Sequence, residues 1–162
     1  GKWAYDISEL GCKYNMTDIS ASFGLEQLIN LDVWIKKRLS IVKKYNNSFK
    51  TIDGIVLPYN IEDANHGRHL YIIRILPKLW RIPRDILIEK INSRGIGTSV
   101  HYIPIHLHSY YKNKYNYNPK DFINAYNLSK SVITIPLYPA LTDNDVNYII
   151  NNINDLWEKY KV

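Results

Sequence analysis

The apolar residues in the first part of the chain recur at helical spacing and predict a long helical lead-in. Thr17 and Asp18 supply an N-cap and an acidic first turn. The apolar positions that follow are Ile19, Phe23, Leu25 and Leu28. Gly24 lies among them, and a glycine inside a helix costs up to about 1 kcal/mol. We therefore expect another subunit or domain to pack closely against Gly24.

The rest of the chain alternates predicted strands with predicted helices. Segments rich in β-branched and aromatic residues predict strands at residues 55–57, 69–76, 96–102 and 132–135. Helices are predicted at about 32–49, from Pro83 to a left-handed cap at Gly95, at 119–131, and after the N-terminal box at Thr142. This order predicts an α+β fold, in which a small, mainly antiparallel sheet from about His69, Ile96 and Val132 packs on helices.

Composition and charge narrow the class of protein. The chain has 162 residues, which is one domain's worth, and no apolar run approaches the ~20 residues that a membrane helix needs. Cys12 is the only cysteine, so a cytoplasmic location is expected. The formal net charge is +6, but the densest basic cluster, at residues 36–44, lies on a predicted helix and fits a solvated helix face. We expect neither nucleic acid nor a membrane as a partner.

Several segments, in order along the chain, resemble one enzyme family. Residues 11–19 (GCKYNMTDI), continued by 24–28 (GLEQL), resemble the start of the long helix in the DegT/DnrJ/EryC1/StrS sugar aminotransferases. Residues 95–102 (GIGTSVHY) resemble the strand at the family's substrate mouth. Residues 136–143 (PLYPALTD) resemble the lead-in to its last helix, and 66–71 (HGRHLY) add a further match.

The resemblance implies the C-terminal part of a homodimeric fold-type I enzyme that uses pyridoxal phosphate. Family members move an amino group, usually from glutamate, onto a keto-sugar bound to a nucleotide diphosphate. Residues 1–16 are then expected to be the tail of a large cofactor-binding domain, and 17–162 the small domain with its linking helices. The family's cofactor-lysine segment does not occur in this sequence. We therefore expect no catalytic residue in this chain, and no activity from the chain alone.

The resemblance singles out Lys13 and Asn15 as cofactor-binding residues. The commoner family motif has asparagine where Lys13 stands and arginine where Asn15 stands, whereas a Lys-Tyr-Asn version resembles the aminoarabinose-type enzymes. Either version places a cation and an amide two residues apart, just before a helix N-terminus, and both features favour phosphate. In the family this segment reaches the cofactor phosphate or the substrate of the neighbouring subunit. An exposed lysine beside a capped helix is the purely structural alternative.

The histidines have two alternative interpretations, a substrate-binding site and a metal-binding site. The resemblance places His101, Tyr102 and His106 at the mouth where donor and sugar enter, and an imidazole there binds a carboxylate or sugar hydroxyls. If residues 106–108 were extended, the rings of His106 and His108 would share a face and, with His101, suit zinc. No cysteine or carboxylate is placed to complete a closed site, so we expect no metal. Two further histidines are expected to fix the loop before the central strand, His66 and His69.

Two alternatives stay open at this point. Tyr102, Tyr110 and Tyr111 either stack on a nucleotide base or sugar, or form a half-buried aromatic cluster. The chain itself is either part of an aminotransferase or a non-catalytic module that dimerises or binds an anionic ligand.

Overall fold

The computed structural model of the chain describes residues 3–59 and 66–162. Contacts between residues divide the chain into two compact units, Gly1–Val33 and Trp34–Val162. The α-helices are α1 (Asp18–Phe49), α2 (Arg84–Asn92), α3 (Ser109–Tyr115), α4 (Ile123–Ser129) and α5 (Asp143–Tyr160). The strands are β1 (Ile55–Val56), β2 (Tyr71–Ile75) and β3 (Val132–Ile135). No helix of the described part is both long and apolar enough to cross a membrane.

The two helices predicted before residue 50 are one continuous helix, α1. The sequence suggested a new start at Asp32, because aspartate is a common N-cap. The structure instead turns the side-chain amide of Asn30 back onto the carbonyl oxygen of Glu26, at 3.0 Å. The backbone of α1 continues through this position without a break, and Asp32 lies in the interior of the helix.

Gly24 lies on α1 in open space within the described part of the chain. No atom lies within 4 Å of the position that a β-carbon would take there. The apolar side chains around it, including Ile19, Phe23 and Leu28, are mostly exposed. The close packing expected at Gly24 is therefore not made by the described residues.

The sheet is antiparallel throughout, with strand order β1-β2-β3. This confirms the predicted fold class, but the third strand is Ile55–Val56 rather than residues 96–102. Within 96–102 the structure has only an isolated bridge between Ser99 and Thr134. The prediction of a full strand there was wrong because the side chain of Asn92 accepts hydrogen bonds from both the amide and the hydroxyl of Thr98, which ends the ladder at Ser99.

One face of the sheet builds the hydrophobic core. Tyr71, Ile73 and Ile75 of β2 are buried, and Ile73 pairs with Ile133 of β3. Helices α1, α2 and α5 supply much of the remaining core, through Tyr45, Phe49, Leu87, Ile91, Val146, Ile149, Ile153 and Leu156. Because buried positions alternate along β2, Arg74 lies on the opposite face of the sheet.

The predicted helix ends are largely confirmed. Gly95 follows α2 with a φ of 75°, which is the left-handed conformation that glycine adopts at low cost. Thr142 and Asp145 form a reciprocal capping box at the start of α5. The helix predicted at 119–131 is a short 3-10 turn, Pro119–Phe122, followed by α4.

Candidate functional site

The segment after α2 carries His101 and is anchored to the sheet. The amide of Ser99 donates to the carbonyl oxygen of Thr134 at 3.1 Å, and the amide of Thr134 donates back at 2.8 Å. This pairing brings Nδ1 of His101 to 2.7 Å from Oγ1 of Thr134. The imidazole is half-buried, and its other nitrogen, Nε2, makes no hydrogen bond within the described residues. His101 is thus fixed on one side and open on the other.

Tyr102 lies next to this imidazole at the surface. The ring centroids of His101 and Tyr102 are 4.6 Å apart in an edge-to-face arrangement. Tyr102 is 72% exposed, so one face of its ring is available to a ligand. The structure therefore brings these two predicted residues together.

His106 is held differently, within a 3-10 turn, Ile105–Leu107. The imidazole is only 6% exposed, and its ring lies 4.9 Å from the ring of Phe122. Its Nε2 atom is buried without a hydrogen-bond partner among the described residues. His106 is therefore a packing element that joins this turn to the segment before α4.

The extended conformation considered for residues 106–108 does not occur. The 3-10 turn buries His106 and leaves His108 exposed, with Nε2 of His108 3.2 Å from the carbonyl oxygen of Ile103. The two rings do not share a face. No group of three histidine, cysteine, aspartate or glutamate side chains within the described ranges is placed to hold a metal ion.

An unbroken chain of aromatic rings runs from α3 to His106, and we call it the aromatic ladder. Successive ring centroids are 4.9–6.5 Å apart in the order Tyr110, Tyr111, Tyr115, Tyr117, Phe122 and His106. The ammonium group of Lys114 lies 5.4 Å and 5.5 Å from the centroids of Tyr110 and Tyr115. The α3 end of the ladder is exposed and the His106 end is buried. A cation beside electron-rich ring faces suits a flat or sugar-like ligand that carries negative charge.

Lys13 and Asn15 belong to the first unit and precede α1. Both side chains are exposed, and neither makes a hydrogen bond or an ion pair within the described part of the chain. The hydroxyl of Thr17 accepts a hydrogen bond from the amide of Ser20 at 3.2 Å, which caps the helix. The amide donor and the cation therefore stand in solvent beside a formed helix N-terminus.

Sequence reasoning missed several members of these groups. The sequence assigned Thr134 only to a predicted strand, and no local signal shows that its hydroxyl contacts His101. Tyr115, Tyr117 and Phe122 complete the aromatic ladder, but tyrosine is so abundant in this chain that composition could not single them out.

Similarity to known proteins decides the family of this chain. The model of the DegT/DnrJ/EryC1/StrS aminotransferase family matches residues 1–154. The chain belongs to this family. It is 40% identical over 156 residues to the uncharacterized protein MJ1066 of Methanocaldococcus jannaschii. It is 38% identical over 157 residues to the spore coat polysaccharide biosynthesis protein SpsC of Bacillus subtilis. Each match covers 96% of this chain and 40% of the relative.

Solved structures of the family share the fold. Spr1654 of Streptococcus pneumoniae, assigned as a sugar aminotransferase, superposes in its PMP form with a TM-score of 0.83 at 34% identity. The superposition covers 98% of this chain and 39% of that protein, and the PLP form gives a TM-score of 0.82. The chain thus spans about two-fifths of the length of these relatives, and its small antiparallel sheet and helices match the C-terminal region of a fold-type I aminotransferase.

Proposed function

We propose that this chain is the C-terminal domain of an enzyme that transfers an amino group from glutamate to a keto-sugar carried on a nucleotide diphosphate. The observation that carries the proposal is the family match over residues 1–154. The relatives named above, one in polysaccharide biosynthesis and one crystallised in PLP and PMP forms, support a sugar substrate and a pyridoxal phosphate cofactor. We further propose a cytoplasmic location, which the free cysteine Cys12 supports.

His101 and Tyr102 are the proposed contacts to substrate. An imidazole whose Nδ1 is held by Thr134 has a fixed ring plane, so its free Nε2 points in one direction. Such a nitrogen binds a sugar hydroxyl or a donor carboxylate. Tyr102 adds an exposed ring face for the sugar or base. His106 is buried, and we propose that it acts by positioning the segment between Tyr102 and α3.

Lys13 and Asn15 are the proposed contacts to the cofactor phosphate of a neighbouring subunit. A cation, an amide and a capped helix N-terminus within one short segment fit a phosphate group, and both side chains lack other partners within the described part. Pyridoxal phosphate supplies the electron sink that amino transfer requires. We propose that the Lys-Tyr-Asn form of this segment groups the protein with the aminoarabinose-type enzymes.

The lysine that binds the cofactor covalently is proposed to lie outside these 162 residues. A lysine used in this way needs a dry, shaped pocket, because burial is what makes its amine nucleophilic at neutral pH. Every lysine in the described part is at least partly exposed, and the least exposed, Lys44, pairs with Asp143 at 2.6 Å. We therefore propose that residues 1–16 end a large cofactor-binding domain, that residues 17–162 form the small domain, and that the chain alone is inactive.

The uncovered helix face supports a dimer. Around Gly24 the first half of α1 exposes the apolar side chains of Ile19, Phe23 and Leu28. A contiguous apolar patch of this kind is unfavourable in water and marks an interaction surface. We propose that a neighbouring subunit or the large domain covers this face.

Two mutants of the intact enzyme test the shared site. One lacks the cofactor lysine, and the other carries Lys13→Ala. Each is expected to be inactive or weakened alone, and a mixture is expected to recover part of the activity, because the hybrid dimer rebuilds one complete site. If subunit exchange is demonstrated and the mixture recovers nothing, Lys13 does not act across the interface.

A further inference from the structure

A groove at the end of the sheet has the composition of an oxyanion-binding site. It has a volume of about 680 Å³ and lies between the end of β2 and helix α4. Its polar side chains belong to Arg74, Asn124, Asn127, Lys130 and Ser131. None of these residues belongs to the groups around His101 or Lys13, so the groove is distinct from the proposed substrate and cofactor contacts.

Arg74 is one of the two cations that line this groove. It lies on the middle strand, on the face of the sheet turned away from the core, and its cross-strand partners are Val56 and Val132. Its guanidinium makes no ion pair or hydrogen bond within the described residues. An arginine beside an apolar cross-strand neighbour leaves its planar fork of donors free for a ligand.

The other side chains of the groove add donors and no negative charge. Lys130 has no acidic partner in the described part and stands 5.8 Å from the ring centroid of Tyr126. Asn124 and Asn127 are one turn apart on α4, and neither side-chain amide has a hydrogen-bond partner among the described residues. No carboxylate lines the groove. Two cations and two amides around one space match an anion, not a neutral sugar or a cation.

We propose that this groove binds a phosphate-bearing small molecule. The cations and amides come from three separate parts of the chain, β2, α4 and the turn before β3, and such a set suits the several oxygens of a phosphate better than the two coplanar oxygens of a carboxylate. The charge of a phosphate ester, up to about −2, matches one arginine and one lysine. The volume lies within the range of about 300–1,000 Å³ found for small-molecule sites, so it also holds an organic portion.

The test titrates the full chain with sodium pyrophosphate, inorganic phosphate and succinate at constant ionic strength. The readouts are the NMR signals of the Arg74 guanidinium and of the Asn124 and Asn127 side-chain amides. We expect saturable shifts with the phosphates and at least tenfold weaker binding of succinate. Arg74→Gln is expected to weaken pyrophosphate binding roughly tenfold or more, since a charge-assisted hydrogen bond is lost. Lys36→Gln, on the exposed face of α1, changes net charge equally and is expected to leave binding unchanged.

A second variant keeps the test independent of folding. Asn127→Asp preserves the shape of the side chain and Arg74, but places a carboxylate in the groove, so it is expected to abolish phosphate binding. Three results overturn the proposal: signals of the groove that do not move with pyrophosphate, equal losses in Arg74→Gln and Lys36→Gln, or succinate binding as tightly as pyrophosphate. If the signals do not move, the groove is a surface for a protein segment and not a phosphate site. If both variants lose binding equally, the binding is a general attraction by net charge.

Discussion

Nδ1 of His101 lies 2.7 Å from the hydroxyl oxygen of Thr134. The two residues are 33 positions apart, and the backbone bridge between Ser99 and Thr134 brings them together. Thr134 is buried in a strand whose residues are all buried, so the imidazole is attached to a rigid part of the fold. The orientation of the proposed substrate contact is therefore set by the sheet and not by the loop that carries it.

Removing this hydroxyl should reduce activity more than stability. Thr134→Val keeps the branched shape but leaves Nδ1 of His101 without its partner. One hydrogen bond contributes about 1 kcal/mol, so we expect kcat/KM of the intact enzyme to fall about fivefold to tenfold. Thr134→Ser keeps the hydroxyl and should stay close to the wild-type value. Steady-state kinetics measure kcat/KM of both variants. Equal values for the valine and serine variants would show that the contact does not position His101.

A partly buried hydrogen bond links β2 to α1. The hydroxyl of Tyr71 donates to Oδ1 of Asn46 at 2.6 Å, and the Tyr71 side chain is fully buried. We expect Tyr71→Phe to lower the free energy of unfolding by about 1–2 kcal/mol, because the amide oxygen of Asn46 loses its donor. Tyr148→Phe is the matched control, since the exposed hydroxyl of Tyr148 donates to the carbonyl of Arg94 and water can replace it. Urea unfolding of both variants measures the difference, and equal losses would contradict this account.

The same burial predicts a response to alkaline pH. Burial raises the pKa of the Tyr45 and Tyr71 hydroxyls above the ordinary tyrosine value of about 10. The folded state thus favours their protonated forms, so this contribution to stability is complete below pH of about 10 and is lost as the pH rises above it. We expect these two phenols to ionise only as the chain unfolds. Tyrosinate absorbance and circular dichroism followed together test this, and ionisation of both phenols in a folded chain would refute it.

Gly54 is predicted to tolerate no side chain. A β-carbon there would overlap Cζ3 of Trp157 and lie 2.6 Å from Nε1 of Trp80, whose indole donates to the carbonyl oxygen of Gly54. The ring centroids of the two indoles are 5.0 Å apart in an edge-to-face arrangement, so neither ring can move away easily. We expect Gly54→Ala to destabilise the fold by about 1–3 kcal/mol. Gly97→Ala meets no atom within 4 Å and should change stability by less than about 0.5 kcal/mol. Thermal unfolding of Gly54→Ala and Gly97→Ala measures the difference in stability.

The parts of the fold that the sequence predicts well are those decided locally. Val132–Ile135 is a run of β-branched residues ended by Pro136, and the structure has a strand with those bounds. Thr142 and Gly95 mark helix ends through their own hydrogen-bonding capacity and conformational freedom, and both are confirmed.

The parts that failed depend on which side-chain and backbone contacts form in the folded chain. Asp32 looks like a helix start, but α1 continues through it from Asp18 to Phe49. Residues 96–102 have strand composition, yet the Asn92 side chain captures Thr98, so one bridge replaces a strand. The contact between His101 and Thr134 has no local signature, because only the folded sheet brings their sequence segments together.

The most direct test of the proposed function follows the amino nitrogen. The intact enzyme is incubated with pyridoxal phosphate, glutamate labelled with ¹⁵N, and a nucleotide-linked keto-sugar, and the products are analysed by mass spectrometry. We expect ¹⁵N in the amino group of the sugar, 2-oxoglutarate in equal amount, and a rate about fivefold to tenfold lower for Thr134→Val than for Thr134→Ser. Label that reaches only keto acids, or that stays in glutamate with every nucleotide-linked keto-sugar offered, would contradict the assignment of this chain to a sugar aminotransferase that uses glutamate.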